Sequence, residues 1–393
     1  MLKNGKILIV FGTRPEIIKL GPVHNALVRR KPLAVDTFYS GQHIELADGL
    51  LDLFSIAPRY QARTVTSQLG LAEKTGQMVV ELGSILSRES YDWLVVQGDT
   101  ASALAGGLAG FLAGVPVAHV EAGLRTNDLS SPWPEEFNRR VITTCTQLHF
   151  APTLAARSNL LAEKVPANRI VVTGNTVIDA LAYVSNHITA EYIPHNRELQ
   201  AIDQTKKLVL VTGHRRENFG APLKRLIAAL IDLAQDGDKV IIFPVHLNPN
   251  VQSEVQARLS GVENVHLLDP LRYPDFVFLL SRAWIVVTDS GGIQEEAPSF
   301  GLPVVITRTT TERPEVIDSG FGHLVGCTQL SITEAVRRLT HGEKRHVIAK
   351  ENPFGDGHAA ERIAAALVGE RRRRDHLRAS SRASLAAAAE AAQ

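Results

Sequence analysis

Three carboxylates stand where the chain leaves an apolar run, and they are the first candidates for chemistry. Asp99 ends the run in LVVQGDT, Glu121 ends the run in VPVAHVEAGLRT, and Glu135 lies in the proline-bounded SPWPEEFNRR. Because the carboxyl ends of parallel strands meet at one edge of a sheet, we expect these acids to converge there. Grouped, partly buried carboxylates can have raised pKa values and serve in acid/base catalysis. The alternative is structural: Asp99 would cap a helix through Thr100, and Glu121 would pair with Arg125.

Basic side chains follow two other apolar runs. Arg14 and Lys19 lie in GTRPEIIK, at a predicted helix entrance where they could meet a diphosphate or a sugar. A solvated helix face is the alternative for both. His214 and Arg215 lie in VTGHRREN, directly after another predicted strand. A histidine at a strand end is more typical of a functional position than one on an apolar helix face.

A third segment, TDSGGIQEEAPSFG, combines a turn, glycines and acids. Gly291 and Gly292 would let the backbone approach phosphate oxygens, and the Ser290 hydroxyl could add a hydrogen bond. A carboxylate would repel phosphate, so we expect Glu295 to hold the hydroxyls of a ribose. The alternative is that Glu295 and Glu296 only complement the helix dipole. If Glu295 does hold a ribose, the segment predicts a nucleotide as the ligand.

The candidate residues follow β-branched runs, and these runs alternate with longer amphipathic stretches. This alternation predicts parallel βαβ units. The predicted fold class is α/β, with two Rossmann-like domains. A polar, poorly periodic stretch, NHITAEYIPHNRELQAIDQTKK, is interpreted as their connection. The expected division is 1–185 for the N-terminal domain, 205–350 for the C-terminal domain, 351–370 for a final helix returning to the first domain, and 371–393 for a disordered tail.

Composition is typical of a soluble globular protein of 393 residues, with 45% hydrophobic residues and 42 Lys and Arg against 41 Asp and Glu. This balance gives no electrostatic reason to expect nucleic acid or an acidic membrane as a partner. Two cysteines argue against a disulfide framework or a structural zinc site, and favour the cytoplasm. The apolar ASALAGGLAGFLAGVPVAHV contains four glycines and a proline, so it predicts a buried helix and a strand instead of a membrane span.

Together the motifs resemble the non-hydrolysing UDP-N-acetylglucosamine 2-epimerases. The resemblance extends from GTRPEIIK through QGDT, HVEAGLRT, SPWPEEFNRR, TGHRREN, DSGGIQEEAPSFGLPV and TTERPE to NPFGDG, or nearly everything up to about residue 365. It implies a glycosyltransferase-B type architecture with a central cleft, a homodimer, and no need for nicotinamide or metal. It also implies reversible conversion of UDP-N-acetylglucosamine to UDP-N-acetylmannosamine, through elimination of UDP to 2-acetamidoglucal and re-addition.

The resemblance also implies roles for individual residues. Asp99, Glu121 and Glu135 would remove and return protons and stabilise positive charge at C1, while His214 would stabilise the departing diphosphate. Phe276 matches a position near uracil, and Arg313 one near the diphosphate. The full set implied to bind substrate is Arg14, Lys19, Arg215, Phe276, Ser290, Gly291, Gly292, Glu295 and Arg313.

A second, activating nucleotide-sugar site occurs in similar bacterial enzymes. Gln42, His43 and His246 fit its pattern, together with Glu135. The chain departs from the pattern at two positions: Glu45 replaces the usual glutamine and Ser67 the usual arginine. Loss of a cation and gain of an acid disfavour a diphosphate, so we expect weakened activation by substrate.

Three other functions remain open at this point. A hydrolysing epimerase would release free N-acetylmannosamine and UDP. A glycosyltransferase could share the architecture, since fold alone does not decide function. A catalytically silent nucleotide-sugar binder would have no use for three acids and a histidine.

Overall fold

The computed structural model describes residues 5–41, 44–63, 69–188, 191–203, 205–213, 220–245 and 248–374, with the backbone alone at 44–48 and 250. The chain divides into two compact units. One comprises the residues up to Asp179 together with those from His358 onward, and the other comprises Ala180–Gly357. Each unit is built on its own parallel sheet.

The described part of the first unit contains a seven-stranded sheet in the order β3-β2-β1-β4-β5-β6-β7. All neighbouring strands are parallel. Its strands are β1 (Gly5–Phe11), β2 (Leu33–Tyr39), β3 (Tyr60–Gln61), β4 (Trp93–Gln97), β5 (Val117–Val120), β6 (Leu148–Ala151) and β7 (Ile170–Val172). The helices that connect them, with the last continuing into the second unit, are α1 (Arg14–Val28), α2 (Ile44–Leu53), α3 (Leu71–Arg88), α4 (Ala101–Leu112), α5 (Glu135–Cys145), α6 (Leu154–Ala162) and α7 (Thr176–Ser185).

The described part of the second unit contains a six-stranded parallel sheet in the order β10-β9-β8-β11-β12-β13. Its strands are β8 (Lys207–Thr212), β9 (Lys239–Pro244), β10 (Val265–Leu268), β11 (Ile285–Thr288), β12 (Val304–Ile306) and β13 (Gly322–Leu324). Its helices are α8 (Ala221–Gln235), α9 (Pro249–Leu259), α10 (Tyr273–Arg282), α11 (Gly291–Glu296), α12 (Pro314–Asp318) and α13 (Gln329–Leu339). The two sheets confirm the predicted α/β class with two Rossmann-like domains.

Strand order marks where ligands are expected in each unit. The order reverses between β1 and β4 in the first sheet and between β8 and β11 in the second. Doubly wound sheets bind ligands outside the carboxyl ends of the strands at such a reversal. The segments that carry Arg14, Asp99 and Ser290 follow β1, β4 and β11 respectively, so each lies at one of these two places.

Glycines let α4 pack directly on the first sheet. A Cβ atom on Gly106 would lie 2.6 Å from Val96 Cγ1, and one on Gly110 would lie 2.6 Å from Val117 Cγ2. The helix is largely buried and β5 follows it, which confirms the predicted buried helix and strand. Nowhere in the described ranges does a helix combine the length and the apolar character needed to cross a bilayer.

The last described helix, α14 (359–374), belongs to the first unit. Asp179 accepts hydrogen bonds from the N–H groups of Ala359 and Ala360, and the Trp93 indole donates to the Leu367 carbonyl at 3.2 Å. The helix continues to residue 374, four residues past the boundary expected from the sequence. The remainder of the predicted tail, 375–393, lies outside the described residues.

Candidate functional site

Glu121 lies at the carboxyl end of β5, where four residues of the first unit meet. Its side chain is buried, and it forms an ion pair with Lys19 from α1. Gln97, the last residue of β4, donates to Glu121 Oε2, and Asn175 Nδ2 donates to Oε1 at 2.9 Å. The predicted alternative, a pair with Arg125, is wrong because Arg125 binds Glu163 at 2.7 Å.

The backbone of Glu121 is also unusual. Its φ angle is +63°, in the left-handed region that a residue with a Cβ atom rarely adopts. Residues held in such conformations cost of order 1–3 kcal/mol and cluster at functional sites. The strained turn aims a buried carboxylate at the sheet edge, which favours a functional role over a purely structural one.

Asp99 lies in the turn between β4 and α4 and is held from α5. Arg139 donates to Asp99 Oδ2 from Nε at 2.9 Å and lies within 2.8 Å through Nη2. Asn138 Nδ2 donates to the Asp99 carbonyl at 2.7 Å. The expected helix cap comes from the next residue, since Thr100 Oγ1 accepts from the N–H of Ala103. Asp99 is thereby left as a partly exposed carboxylate in a fixed position.

Glu135 begins α5, the helix whose Asn138 and Arg139 hold Asp99. Its Oε2 atom is buried and has no hydrogen-bond partner among the described residues. Buried carboxylate oxygens are normally satisfied, so this one is distinctive among the acids at this edge of the sheet. Its neighbour Glu136 differs: it accepts from the N–H groups of Thr126 and Asn127 and from Arg139.

The pKa values of two neighbours of the acids are shifted. Burial alone would raise the pKa of Glu136, but hydrogen bonds from Thr126 and Arg139 hold it below its usual range. Burial lowers the pKa of His119 to about 4, so this histidine is neutral at pH 7. His119 Nε2 donates to the Gly98 carbonyl at 2.7 Å. This bond fixes the backbone just before Asp99.

Arg14 and Lys19 lie at different depths in α1. Arg14 is the first residue of the helix and is partly exposed, whereas Lys19 is buried against Glu121. Lys19 therefore places a cation beside Glu121, while Arg14 lies at the start of α1, at the carboxyl edge of the sheet. The sequence predicted the location of both, but the Lys19–Glu121 pair joins residues 102 positions apart and had no local signal.

In the second unit, the predicted glycine-rich segment lies against Arg313. Ser290 is the N-cap residue of the short helix α11, but its side chain makes no capping hydrogen bond. A Cβ atom on Gly291 would lie 2.3 Å from Arg313 Nη1, so only glycine admits the guanidinium here. Arg313 Nε donates to Glu295 Oε1 at 2.7 Å. The structure thus brings together the residues predicted to meet diphosphate and ribose.

Two nearby residues have different surroundings. Glu296 accepts a hydrogen bond from the Tyr273 hydroxyl at 2.8 Å, which ties α11 to α10. Phe276 is buried in α10. Its neighbour Asp275 accepts from the Tyr192 hydroxyl and from the N–H of His195. Both lie in the stretch that the sequence predicted to connect the domains, and in the structure this stretch belongs to the second unit. Of the two adjacent acids in QEE, Glu295 is the one that pairs with Arg313, the cation predicted to bind the diphosphate.

Several predicted residues lie outside the part of the chain that the structure describes. They are His214, Arg215, Gln42, His43, His246 and Ser67, together with the side chain of Glu45.

A separate observation concerns metal ions. Of the described residues, none form a group of three or more His, Cys, Asp or Glu suited to a metal ion.

The site residues that motif reading missed are partners of the acids. Gln97, Asn175 and Arg139 all lie inside conspicuous motifs, QGDT, GNT and EEFNRR, but nothing in their types alone indicated pairing. Glu16 was also missed. It is fully buried, and burial raises its pKa to about 7.

Comparison with known proteins gives a consistent picture. The family model for UDP-N-acetylglucosamine 2-epimerase matches residues 25–368. A UDP-N-acetylglucosamine 2-epimerase of Yersinia pestis is 46% identical over 368 residues, covering 92% of this chain and 98% of the relative.

Solved structures agree over the same extent. The UDP-GlcNAc 2-epimerase of Neisseria meningitidis bound to UDP-GlcNAc has a TM-score of 0.86 at 40% identity, covering 93% of this chain and 100% of that one. The Methanocaldococcus jannaschii enzyme in complex with UDP-GlcNAc and UDP has a TM-score of 0.80 at 33% identity, covering 92% and 99%. The chain belongs to the UDP-N-acetylglucosamine 2-epimerase family.

Proposed function

We propose that this protein reversibly inverts C2 of UDP-N-acetylglucosamine to give UDP-N-acetylmannosamine, without hydrolysis. The observation that carries the proposal is the group of three carboxylates at one edge of the first sheet. Asp99 and Glu135 are joined through the first turns of α5, and Glu121 lies one strand away, beside Gln97. Proton removal from one face of a carbon and return to the other needs more than one such group.

The chemistry explains why UDP must leave during the reaction. The C2 proton is not next to a carbonyl, so direct removal would give a poorly stabilised carbanion. If the C1–O bond breaks as the proton leaves, the C–H electrons form a C1=C2 double bond and UDP departs with the C–O electrons. Re-addition of UDP at C1 and of a proton on the other face of C2 completes the inversion.

The contacts support different roles for the three acids. Glu135 has the open, buried oxygen and is suited to proton transfer. Glu121 is balanced by Lys19, and Asp99 is balanced by Arg139, so each is suited to hold negative charge near a C1 atom that becomes electron-poor.

Residues of the second unit would hold the leaving group. Arg313 and the backbone at Ser290, Gly291 and Gly292 would contact the diphosphate, and Glu295 would accept hydrogen bonds from the ribose hydroxyls. Phe276 would lie near the uracil. The support is the Arg313–Glu295 pair over Gly291, together with the relatives whose structures hold UDP-GlcNAc. His214 and Arg215 would add positive charge at the diphosphate.

We extend the proposal to regulation and assembly. Glu45 and Ser67 disfavour a second diphosphate, so initial rates should follow a hyperbolic dependence on UDP-N-acetylglucosamine. A sigmoidal dependence that added UDP-N-acetylglucosamine relieves during the reverse reaction would contradict this. A homodimer is the expected assembly, and light scattering of the purified chain would test it.

Product analysis separates the proposed reaction from its rivals. Purified protein is incubated with UDP-N-acetylglucosamine alone, and nucleotides and free sugars are resolved by anion-exchange chromatography. An equilibrium mixture of two UDP-sugars supports the proposal. Accumulation of free N-acetylmannosamine with equimolar UDP would identify a hydrolysing enzyme instead, and unchanged substrate that nonetheless binds would identify a silent binder.

A further inference from the structure

The carboxyl edge of the first sheet contains one more buried acid, which the proposed mechanism does not use. Glu16 is fully buried in the first turn of α1, between the segment after β1 and the segment after β4. We propose that Glu16 is a positioning residue that fixes the distance between the cation-bearing entrance of α1 and the Asp99 carboxylate, an inference that rests on the proposed function.

The two oxygens of Glu16 contact two different segments. Oε2 accepts from the N–H of Gly12 at 3.0 Å, from the N–H of Thr13 at 2.8 Å and from the Thr13 hydroxyl at 2.8 Å. Oε1 accepts from the Thr100 hydroxyl at 2.6 Å. Thr100 Oγ1 itself accepts from the N–H of Ala103, so its hydrogen is free to point at Glu16. Thr100 directly follows Asp99.

Packing around Gly12 leaves the backbone that follows β1 little freedom to move. A Cβ atom on Gly12 would lie 1.8 Å from Ser40 Oγ and 2.3 Å from Ser102 Oγ. These two hydroxyls are buried and hydrogen-bonded to each other at 2.9 Å. The ends of β1 and β2 and the first turn of α4 therefore form one tight polar layer, and Glu16 connects it to the residue beside Asp99.

An ordinary helix cap would not need this arrangement. In α3 the corresponding acid, Glu73, accepts from the N–H of Gly70 at 3.1 Å and is exposed to solvent. A capping box explains the contacts of Glu16 with Thr13, but it does not explain complete burial or a bond to Thr100, 84 residues away. Glu73 is thus a matched control, because it has the same capping role in the same unit without a link to the acids.

Steady-state kinetics on the full chain test the role. Glu16→Ala and Thr100→Val should each lower kcat by about 10–100-fold with KM changed by less than about threefold, because small displacements of reacting groups are costly. Glu16→Gln and Thr100→Ser keep a polar bridge and should stay within about fivefold of the natural chain. Glu73→Ala should leave kcat unchanged.

A double variant distinguishes coupling from general damage. If Glu16 and Thr100 act through one contact, Glu16→Ala with Thr100→Val should have a kcat close to that of the worse single variant. Multiplicative losses, or a folded Glu16→Ala variant with kcat within about threefold of the natural chain, would overturn the positioning role. If Glu16→Ala does not fold, the Thr100→Val and Thr100→Ser pair decides: equal kcat for both overturns it.

The natural chain is assayed first so that two failures are not confused. No conversion of UDP-N-acetylglucosamine by the natural chain would contradict the proposed function itself. An active natural chain with unaffected variants would contradict only the role of Glu16.

Discussion

At the scale of single residues, the site depends on buried charges that balance one another. Lys19 and Glu121 are each less than a tenth exposed and form an ion pair. A buried pair gains little net stability because both charges lose water, but removal of one partner leaves the other uncompensated. Such a pair is therefore better explained by what it does for a bound substrate than by stability.

The pair gives a prediction that separates stability from activity. Lys19→Met should destabilise the first unit by roughly 3–5 kcal/mol, because Glu121 would keep a buried, unbalanced charge. Adding Glu121→Gln should recover much of the lost stability. Conversion of the nucleotide sugar should be abolished in both the single and the double variant. Denaturant unfolding and a turnover assay are measured together. Full recovery of activity in the double variant would show that the pair is structural only.

Glu16 gives a prediction for pH. Burial raises its pKa from 4.5 to about 7, so the folded chain binds this proton more tightly than the unfolded chain. Its contribution to stability is complete below about pH 4.5 and is lost as the pH rises through 7. Glu16→Gln imitates the protonated form and does not titrate.

The free energy of unfolding of Glu16→Gln, relative to the natural chain, should therefore improve by on the order of 2–3 kcal/mol between pH 5 and pH 8. Denaturant unfolding of both chains at the two pH values measures this difference directly. A constant difference would show that Glu16 has an ordinary pKa.

At this scale the sequence predicted positions better than partners. Asp99, Glu121 and Glu135 could be found because an acid after a β-branched run is placed by a local pattern. The pairings of these acids with Lys19, Gln97 and Arg139 could not, since they join different elements and depend on strand order and side-chain geometry. Glu16 was missed because a glutamate after Thr-Arg-Pro is fully explained, locally, as a helix cap.

At the scale of elements, helix α4 shows how closely the parts that carry the acids are packed. Asp99 and Thr100 precede this helix, and its Gly106 faces Val96 in β4. The sequence predicts a buried helix here. The structure explains why glycine stands at position 106: the helix approaches the strand too closely for a methyl group.

Adjacent glycines make the test specific. Gly106→Ala would place a Cβ atom 2.6 Å from Val96 Cγ1, so it should destabilise the first unit by about 1–3 kcal/mol. Gly107→Ala meets its nearest atom only at 3.7 Å and should be neutral or stabilising by up to about 1 kcal/mol, since alanine favours helix. Thermal unfolding compares the two. Equal melting temperatures would contradict the packing argument.

Element types and their order followed well from hydrophobic periodicity, because buried parallel strands are short β-branched runs. The boundary between the two units did not follow from periodicity. The contacts place the end of the first unit at Asp179, inside α7, instead of at residue 185. A helix that runs from one unit into the other has a continuous pattern, so periodicity contains no mark of where the contacts change.

At the scale of the whole molecule, the chain returns to its first unit at the end. In α14, Ile363, Ala364 and Leu367 are fully buried, and Glu361 pairs with Arg29 and Arg30 of the first unit. The sequence analysis expected a final helix that returns to the first domain, but the contacts with Asp179 and Trp93 depend on tertiary structure.

Truncation tests this dependence. A chain that ends after Gly357 loses α14 and exposes the apolar surface beneath it, so the first unit should no longer unfold cooperatively and conversion should be lost. A chain that ends after Arg374 keeps the whole described helix and is the control. Circular dichroism melts and the turnover assay are compared for both. An active, cooperatively folded chain without α14 would contradict the assignment of this helix to the first unit.

The most direct test of the central claim is proton NMR of the purified chain with UDP-N-acetylglucosamine in deuterium oxide, without added metal or nicotinamide. Loss of the C2 proton signal to deuterium in step with the appearance of UDP-N-acetylmannosamine, while the pool of UDP-sugar stays intact, is the predicted result. An epimer that retains its C2 proton, or free N-acetylmannosamine and UDP in its place, would contradict inversion by elimination and re-addition.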